Sequence, residues 1–205
     1  MPAYIRRFIY PEEDWTYVNA EDGPSGTLVL HPPIGYVYTS VFEDVYKWDW
    51  TLFLSMSNQL ISGIPGHVTG WRHECQLTFV GDPIPVILGA YFVGNGFTWS
   101  HFEYYISYDG VQVAVGYGDG DYGRSLFYVR RVGTIIYFIF EISGGETFPE
   151  LSYDYGSRRE PAQVLIKLSD CVVPPLPSVN NARIWEFWWK YPYAGVPGDA
   201  QLFNM

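Results

Sequence analysis

Between Phe97 and Ile142 the chain reads FTWSHFEYYISYDGVQVAVGYGDGDYGRSLFYVRRVGTIIYFIFEI, and no other run constrains the fold as much. Apolar and aromatic residues recur there at every second position or in short unbroken runs, not at the 3.6-residue spacing of a helix face. Three turn signals divide the run. Asp109-Gly110 suits a type I′ turn, whose two central residues both need positive φ. Gly116 to Gly123 reads as a Gly/Asp loop, and Val132-Gly133 as a second tight turn. Four strands joined by three short connections predict an antiparallel four-stranded meander.

The same alternation extends over the rest of the chain. Trp48, Trp50, Leu52, Leu54 and Met56 share a face opposite Asp49, Thr51, Phe53 and Ser55. Trp71, His73, Cys75, Leu77 and Phe79 lie opposite Arg72, Glu74, Gln76 and Thr78, with Gly70 as the expected bulge. Pro85 to Val93 is apolar throughout and reads as a strand buried on both faces. In the last strand, Asn181 to Tyr191, Trp185, Phe187, Trp189 and Tyr191 share a face, and Trp48, Trp50, Trp185 and Trp189 are expected in the core. Neither a helix nor a repeat nor a linker is legible. About a dozen strands in 205 residues predict one domain over 1–205. The expected fold is all-β: an antiparallel β-sandwich of the jelly-roll kind, with two stacked sheets.

Composition narrows the function classes. Hydrophobic residues make up 48% of the chain, which excludes a disordered protein. The net charge of −10 opposes nucleic-acid phosphates and anionic membrane surfaces alike. No run approaches the roughly 18 apolar residues that would insert into a membrane. The field is compatible with a neutral glycan, a cation or a protein partner. Cys75 and Cys171 leave open a single bridge or two free thiols. The opening MPAYIRRFIYPEEDW has no apolar h-region, so no secretory signal is expected; a virion protein released by lysis needs none.

One strand carries the main functional expectation. Phe102, Tyr104, Ile106 and Tyr108 fall on one face; Trp99, His101, Glu103, Tyr105 and Ser107 fall on the other. Aromatic rings beside a carboxylate and an imidazole suit the apolar C–H faces and the hydroxyls of a pyranose. Trp71 and His73 repeat the spacing of Trp99 and His101, so the candidate ligand-binding set is Trp71, His73, Trp99, His101, Glu103 and Tyr105. The competing reading leaves Glu103 and His101 solvated between core rings. Asp119 and Asp121, alternating with glycines, offer oxygens to Ca²⁺, although the spacing is not that of an EF-hand and Asp-Gly pairs also make plain turns. No other cofactor is implied, and four scattered histidines argue against zinc. GxSxG, P-loop and CxxC motifs are absent.

Arg124 to Glu146, RSLFYVRRVGTIIYFIFEISGGE, followed by a closing strand near the C-terminus, resembles the concanavalin A-like jelly roll of legume-type lectins and LamG modules. The resemblance implies glycan recognition. Legume-type lectins also hold calcium and manganese in a compact Asp/Asn/Glu/His cluster, which does not map onto this chain. Glu103-Tyr104-Tyr105-Ile106 is similar to the segment around the nucleophile of family 11 xylanases, which implies a nucleophilic Glu103. None of the late glutamates Glu141, Glu150 and Glu186 has that family's acid/base context. The expectation is therefore a non-catalytic, lectin-like protein of a virion or extracellular surface, binding a glycan or a protein partner, with homo-oligomerisation open. A glycoside hydrolase or polysaccharide lyase, and a ligand-free structural subunit, are the alternatives.

Overall fold

The computed structural model describes residues 4–7, 15–40, 49–60, 69–94, 100–120, 124–143, 146–157, 161–169, 172–173, 176–177 and 179–191. Its strands are β1 (Tyr4–Arg7), β2 (Thr16–Val18), β3 (Ala20–Asp22), β4 (Leu28–Leu30), β5 (Gly35–Ser40) and β6 (Trp50–Leu60). There follow β7 (Thr69–Phe79), β8 (Asp82–Gly94), β9 (Ser100–Tyr108), β10 (Val111–Gly120), β11 (Ser125–Val132) and β12 (Ile135–Ile142). The last six are β13 (Glu146–Thr147), β14 (Leu151–Asp154), β15 (Pro161–Ser169), β16 (Val172–Val173), β17 (Leu176–Pro177) and β18 (Val179–Tyr191). One sheet runs β10-β9-β8-β7-β15-β5-β2. The other runs β13-β12-β11-β6-β18-β4-β3, with β1 also on β18 and β14 also on β12, making nine strands. Among the described residues the only helical element is the 3₁₀ turn Pro24–Gly26. The chain is an antiparallel two-sheet β-sandwich, as its alternation predicts.

The core lies where the two apolar faces meet. Trp50, Leu52, Leu54 and Met56 of β6, Phe127 and Val129 of β11, and Ile136, Phe138 and Phe140 of β12 face inward from the nine-stranded sheet. Cys75 and Leu77 of β7, Val86 and Leu88 of β8, and Phe102, Tyr104 and Ile106 of β9 answer from the other. Phe140 sits at the seam, 5.2 Å from the Phe102 ring, 5.6 Å from Tyr104 and 6.1 Å from Phe92. Truncating such a ring to alanine costs about 3–5 kcal/mol. Cys75 is a free thiol in this core, and burial pushes its pKa up to about 12; Cys171 lies outside the described residues.

Several sequence expectations need correction. Phe97 to Ile142 does not make a meander: β9–β10 is a hairpin of the seven-stranded sheet and β11–β12 a hairpin of the nine-stranded one. Each hairpin has one apolar face, and stacking the two buries both. Gly116 and Gly118 are strand positions of β10 rather than loop. They fall opposite the inward residues Tyr104 and Phe102, and glycine is required because rings occupy the space that a side chain would take. A Cβ at Gly116 would stand 2.2 Å from Tyr104 Cζ, and one at Gly118 would stand 2.4 Å from Phe102 Cζ. The register runs unbroken through Gly70, and the shift between β7 and β8 falls between Leu77 and Phe79. β18 is bulged between Ile184 and Glu186, so Trp185 does not share the inward face of Phe187. Trp50 is in the core as expected; Trp48 lies outside the described residues, as does the side chain of Trp189.

Candidate ligand-binding face

The outer face of the seven-stranded sheet carries most of the residues singled out above. Along β9, His101, Glu103, Tyr105 and Ser107 point away from the core, because Phe102, Tyr104 and Ile106 point into it. Across the hairpin, Asp119 pairs with His101, Tyr117 with Glu103, and Val115 with Tyr105. This register depends on a bulge between Gln112 and Ala114. Without the extra residue, Tyr117 and Asp119 would fall on the core side, since a slip of one position exchanges the two faces of a strand.

At the open edge formed by β9 and β10, the polar groups are paired and accessible. His101 Nδ1 is hydrogen-bonded to Asp119 Oδ1, with side chains 64% and 54% exposed. Gln112 Nε2 donates to Glu103 Oε1. Tyr117 stands directly across from Glu103, two positions from Asp119, and is 70% exposed.

The centre of the face is closed. Glu74 accepts the Tyr105 hydroxyl at 2.9 Å and Gln76 Nε2 at 3.0 Å, and lies 3.5 Å from Lys167 Nζ and 3.9 Å from an Arg72 nitrogen. Arg72 is clasped between the Tyr91 and Tyr105 rings, 4.9 and 5.5 Å from their centroids, and donates to the Tyr105 hydroxyl at 3.1 Å. The Tyr105 ring covers Gly89, where a Cβ would stand 2.5 Å from the ring. Burial first, and then the Glu74 charge, push the Tyr105 hydroxyl well above the ordinary tyrosine range, while Arg72 opposes them.

The structure therefore divides the candidate set. His101, Glu103 and Asp119 stand together on the accessible edge. Tyr105 is on the expected face but only 2% exposed, so it cannot present its ring to a ligand. Trp71 and His73 are on the opposite side of the sheet: Trp71 stacks on Phe92 at 5.2 Å, and both are buried. Their grouping with the β9 residues is corrected, because β7 turns its odd positions inward whereas β9 turns its odd positions outward. His73 bridges the sheets instead, bonding Asn58 Oδ1 at 2.7 Å and Ser125 Oγ at 3.0 Å. Burial pushes its pKa down to about 3. Trp99 and Asp121 lie outside the described residues. Among the described residues no three His, Cys, Asp or Glu side chains are grouped closely enough to hold a metal ion. Tyr117 and Gln112 escaped the sequence reading; the two-residue turn at Asp109-Gly110 points to the hairpin but not to its bulge.

No protein-family profile matches the chain, and no curated protein matches it. Solved structures do. The CBM2 module of the evolved Dit of Lactobacillus casei BL23 phage J-1 aligns with TM-score 0.63 at 10% identity, over 96% of this chain and all of that one. Winged bean acidic lectin, solved with methyl-α-D-galactose, aligns with TM-score 0.62 at 10% identity, over 93% and 99% of the two chains. Lectin I-B4 of Griffonia simplicifolia aligns with TM-score 0.61 at 11% identity, over 93% and 100%. The fold is the concanavalin A-like sandwich of the legume lectins.

Proposed function

We propose that the protein is a non-catalytic, lectin-like recognition module that holds a sugar at the β9–β10 edge of the seven-stranded sheet, as part of a virion appendage. One observation carries the reading: Tyr117 is an open aromatic ring on the same hairpin as His101–Asp119 and Glu103–Gln112. Rings supply the apolar contact with C–H faces, and the paired polar groups supply donors and acceptors for hydroxyls. The fold shared with a lectin solved with methyl-α-D-galactose supports the ligand class, and the fold shared with a phage Dit module supports the setting. Among the described residues no helix is long and apolar enough to cross a membrane. Glycan-array screening of the whole chain, followed by calorimetry on the hits, tests the proposal. Binding without reducing-end release from xylan or β-glucan is expected, and Tyr117→Ala removes most of the affinity. An empty array, or hits that the variant retains in full, overturns it.

A second reading rests on the same edge. Among the described strands β10 ends the sheet, and Val111, Val113 and Val115 are 61%, 37% and 38% exposed. An open edge with apolar side chains suits strand addition by a protein partner or a second copy. Sedimentation of the free chain tests the second-copy form: a monomer at all concentrations excludes it.

A further inference from the structure

Two arginines on the outer face of the nine-stranded sheet, Arg124 and Arg183, have no ion pair among the described residues. The bulge between Ile184 and Glu186 releases Trp185 from the core-facing row, and its Nε1–H donates to Ser57 Oγ at 2.6 Å, which holds the indole on the outer face. Arg124, just before β11, lies 4.1 Å from the indole centroid, and Arg183 of β18 lies 5.1 Å from it. Two like charges thus gather around one ring. Packing alone would be served by one of them, since a guanidinium on an indole is already a favourable contact, and the second adds repulsion.

Other arginines of this acidic chain are treated differently. Arg72 reaches Glu74, and Arg130 meets both oxygens of Glu150 at 3.1 Å. Arg124 and Arg183 have no ion pair among the described residues, although the sequence carries 22 acidic residues against 12 basic ones. The neighbouring carboxylates Glu141 and Glu186 act on the Tyr128 hydroxyl, whose pKa they raise after burial has done so. Ser57 and the exposed Ser143, whose Oγ accepts the Arg124 backbone N–H at 2.7 Å, border the pair. Planar guanidinium forks suit a carboxylate, sulfate or phosphate, which they hold by two parallel hydrogen bonds.

We propose that Arg124 and Arg183, mounted on Trp185, form a binding site for an oxyanion (a carboxylate, sulfate or phosphate group), separate from the β9–β10 edge. The site works by preorganisation: the indole and Ser57 fix the ring, the ring fixes the guanidiniums, and the ligand supplies the missing negative charge. It does not depend on Tyr117, so failure of sugar binding at the other sheet leaves it standing, and the reverse also holds.

The test uses the whole chain labelled with ¹⁵N and titrated at constant ionic strength with D-glucuronate, inorganic phosphate, sulfate and neutral glucose. The Trp185 indole resonance, assigned with Trp185→Phe, reports the site. The expected result is a saturable shift with anions, none with glucose, and affinity about tenfold lower in Arg124→Gln and in Arg183→Gln. Melting temperatures of these surface variants should match the parent, which keeps the comparison clear of folding. Glucuronate binding more tightly than phosphate and sulfate identifies a uronate as the source; the reverse order identifies a phosphate or sulfate ester. The proposal is overturned if no anion shifts the indole saturably, or if the double variant Arg124→Gln/Arg183→Gln responds as the parent does.

Discussion

The two outer faces of this sandwich use the same residue types to opposite ends. On the seven-stranded sheet, Arg72 and Lys167 converge on Glu74, and Tyr105 closes over them, so charge and ring are consumed inside the protein. On the nine-stranded sheet, Arg124 and Arg183 gather around Trp185 with no acid between them among the described residues. A buried, fully bonded cluster holds a sheet in shape and offers little to a ligand. A cationic pair on a fixed ring contributes little to stability and offers its charge outward. Aromatic and charged residues on a sheet face therefore do not mark a site by their presence; what matters is whether their bonding capacity is already spent.

The largest expected effect tests what holds the two faces back to back. His73 of β7 is bonded to Asn58 of β6 and Ser125 of β11, and it stays neutral in the fold down to about pH 3. The unfolded chain takes up that proton near pH 6.5, so the unfolded state binds more protons throughout the interval. Stability is complete above about pH 6.5 and declines as the pH falls toward 3, by up to about 4 kcal/mol. Urea unfolding between pH 7 and pH 4 should show this slope, and His73→Phe should flatten it. An unchanged slope in the variant would assign the acid sensitivity to other groups.

Next comes the closed cluster. Glu74→Ala strands Arg72, Lys167 and the Tyr105 hydroxyl, and should cost about 3 kcal/mol. Arg124→Gln on the opposite face should cost less than about 0.5 kcal/mol. Equal losses in chemical denaturation would erase the contrast between the faces. At the β9–β10 edge, Tyr117→Ala should lower the affinity for a sugar hit about tenfold while leaving the melting temperature in place, because the ring is exposed. Tyr105→Ala should do the reverse, lowering stability first. The smallest effect concerns calcium at Asp119 and Asp121. With the Asp119 carboxylate bonded to His101, millimolar Ca²⁺ should leave the melting temperature unchanged. A rise of several degrees would establish a cation site, since a ligand of the native state stabilises it by mass action.

The alternation of residues was enough to determine an all-β sandwich, the inward sets of β6 and β9, and the turn at Asp109-Gly110, because strand periodicity and positive-φ turns are local properties of the chain. Which set of β7 faced the core was not local. Trp71 and His73 lie opposite Arg72 and Glu74 in either case, and only the opposing sheet made the first pair interior. The meander failed for the same reason: the apolar faces of the two hairpins could be buried side by side or one over the other, and layer packing chose the second. The two candidate sites depend on two bulges. The one beside Gln112 turns Tyr117 and Asp119 outward, and the one at Trp185 releases that ring from the core-facing row. Each shifts the register by one residue, which exchanges the faces of everything beyond it. A bulge forms where cross-strand packing over the whole sheet favours it, so its position was decided by the tertiary structure and not by the residues at the site.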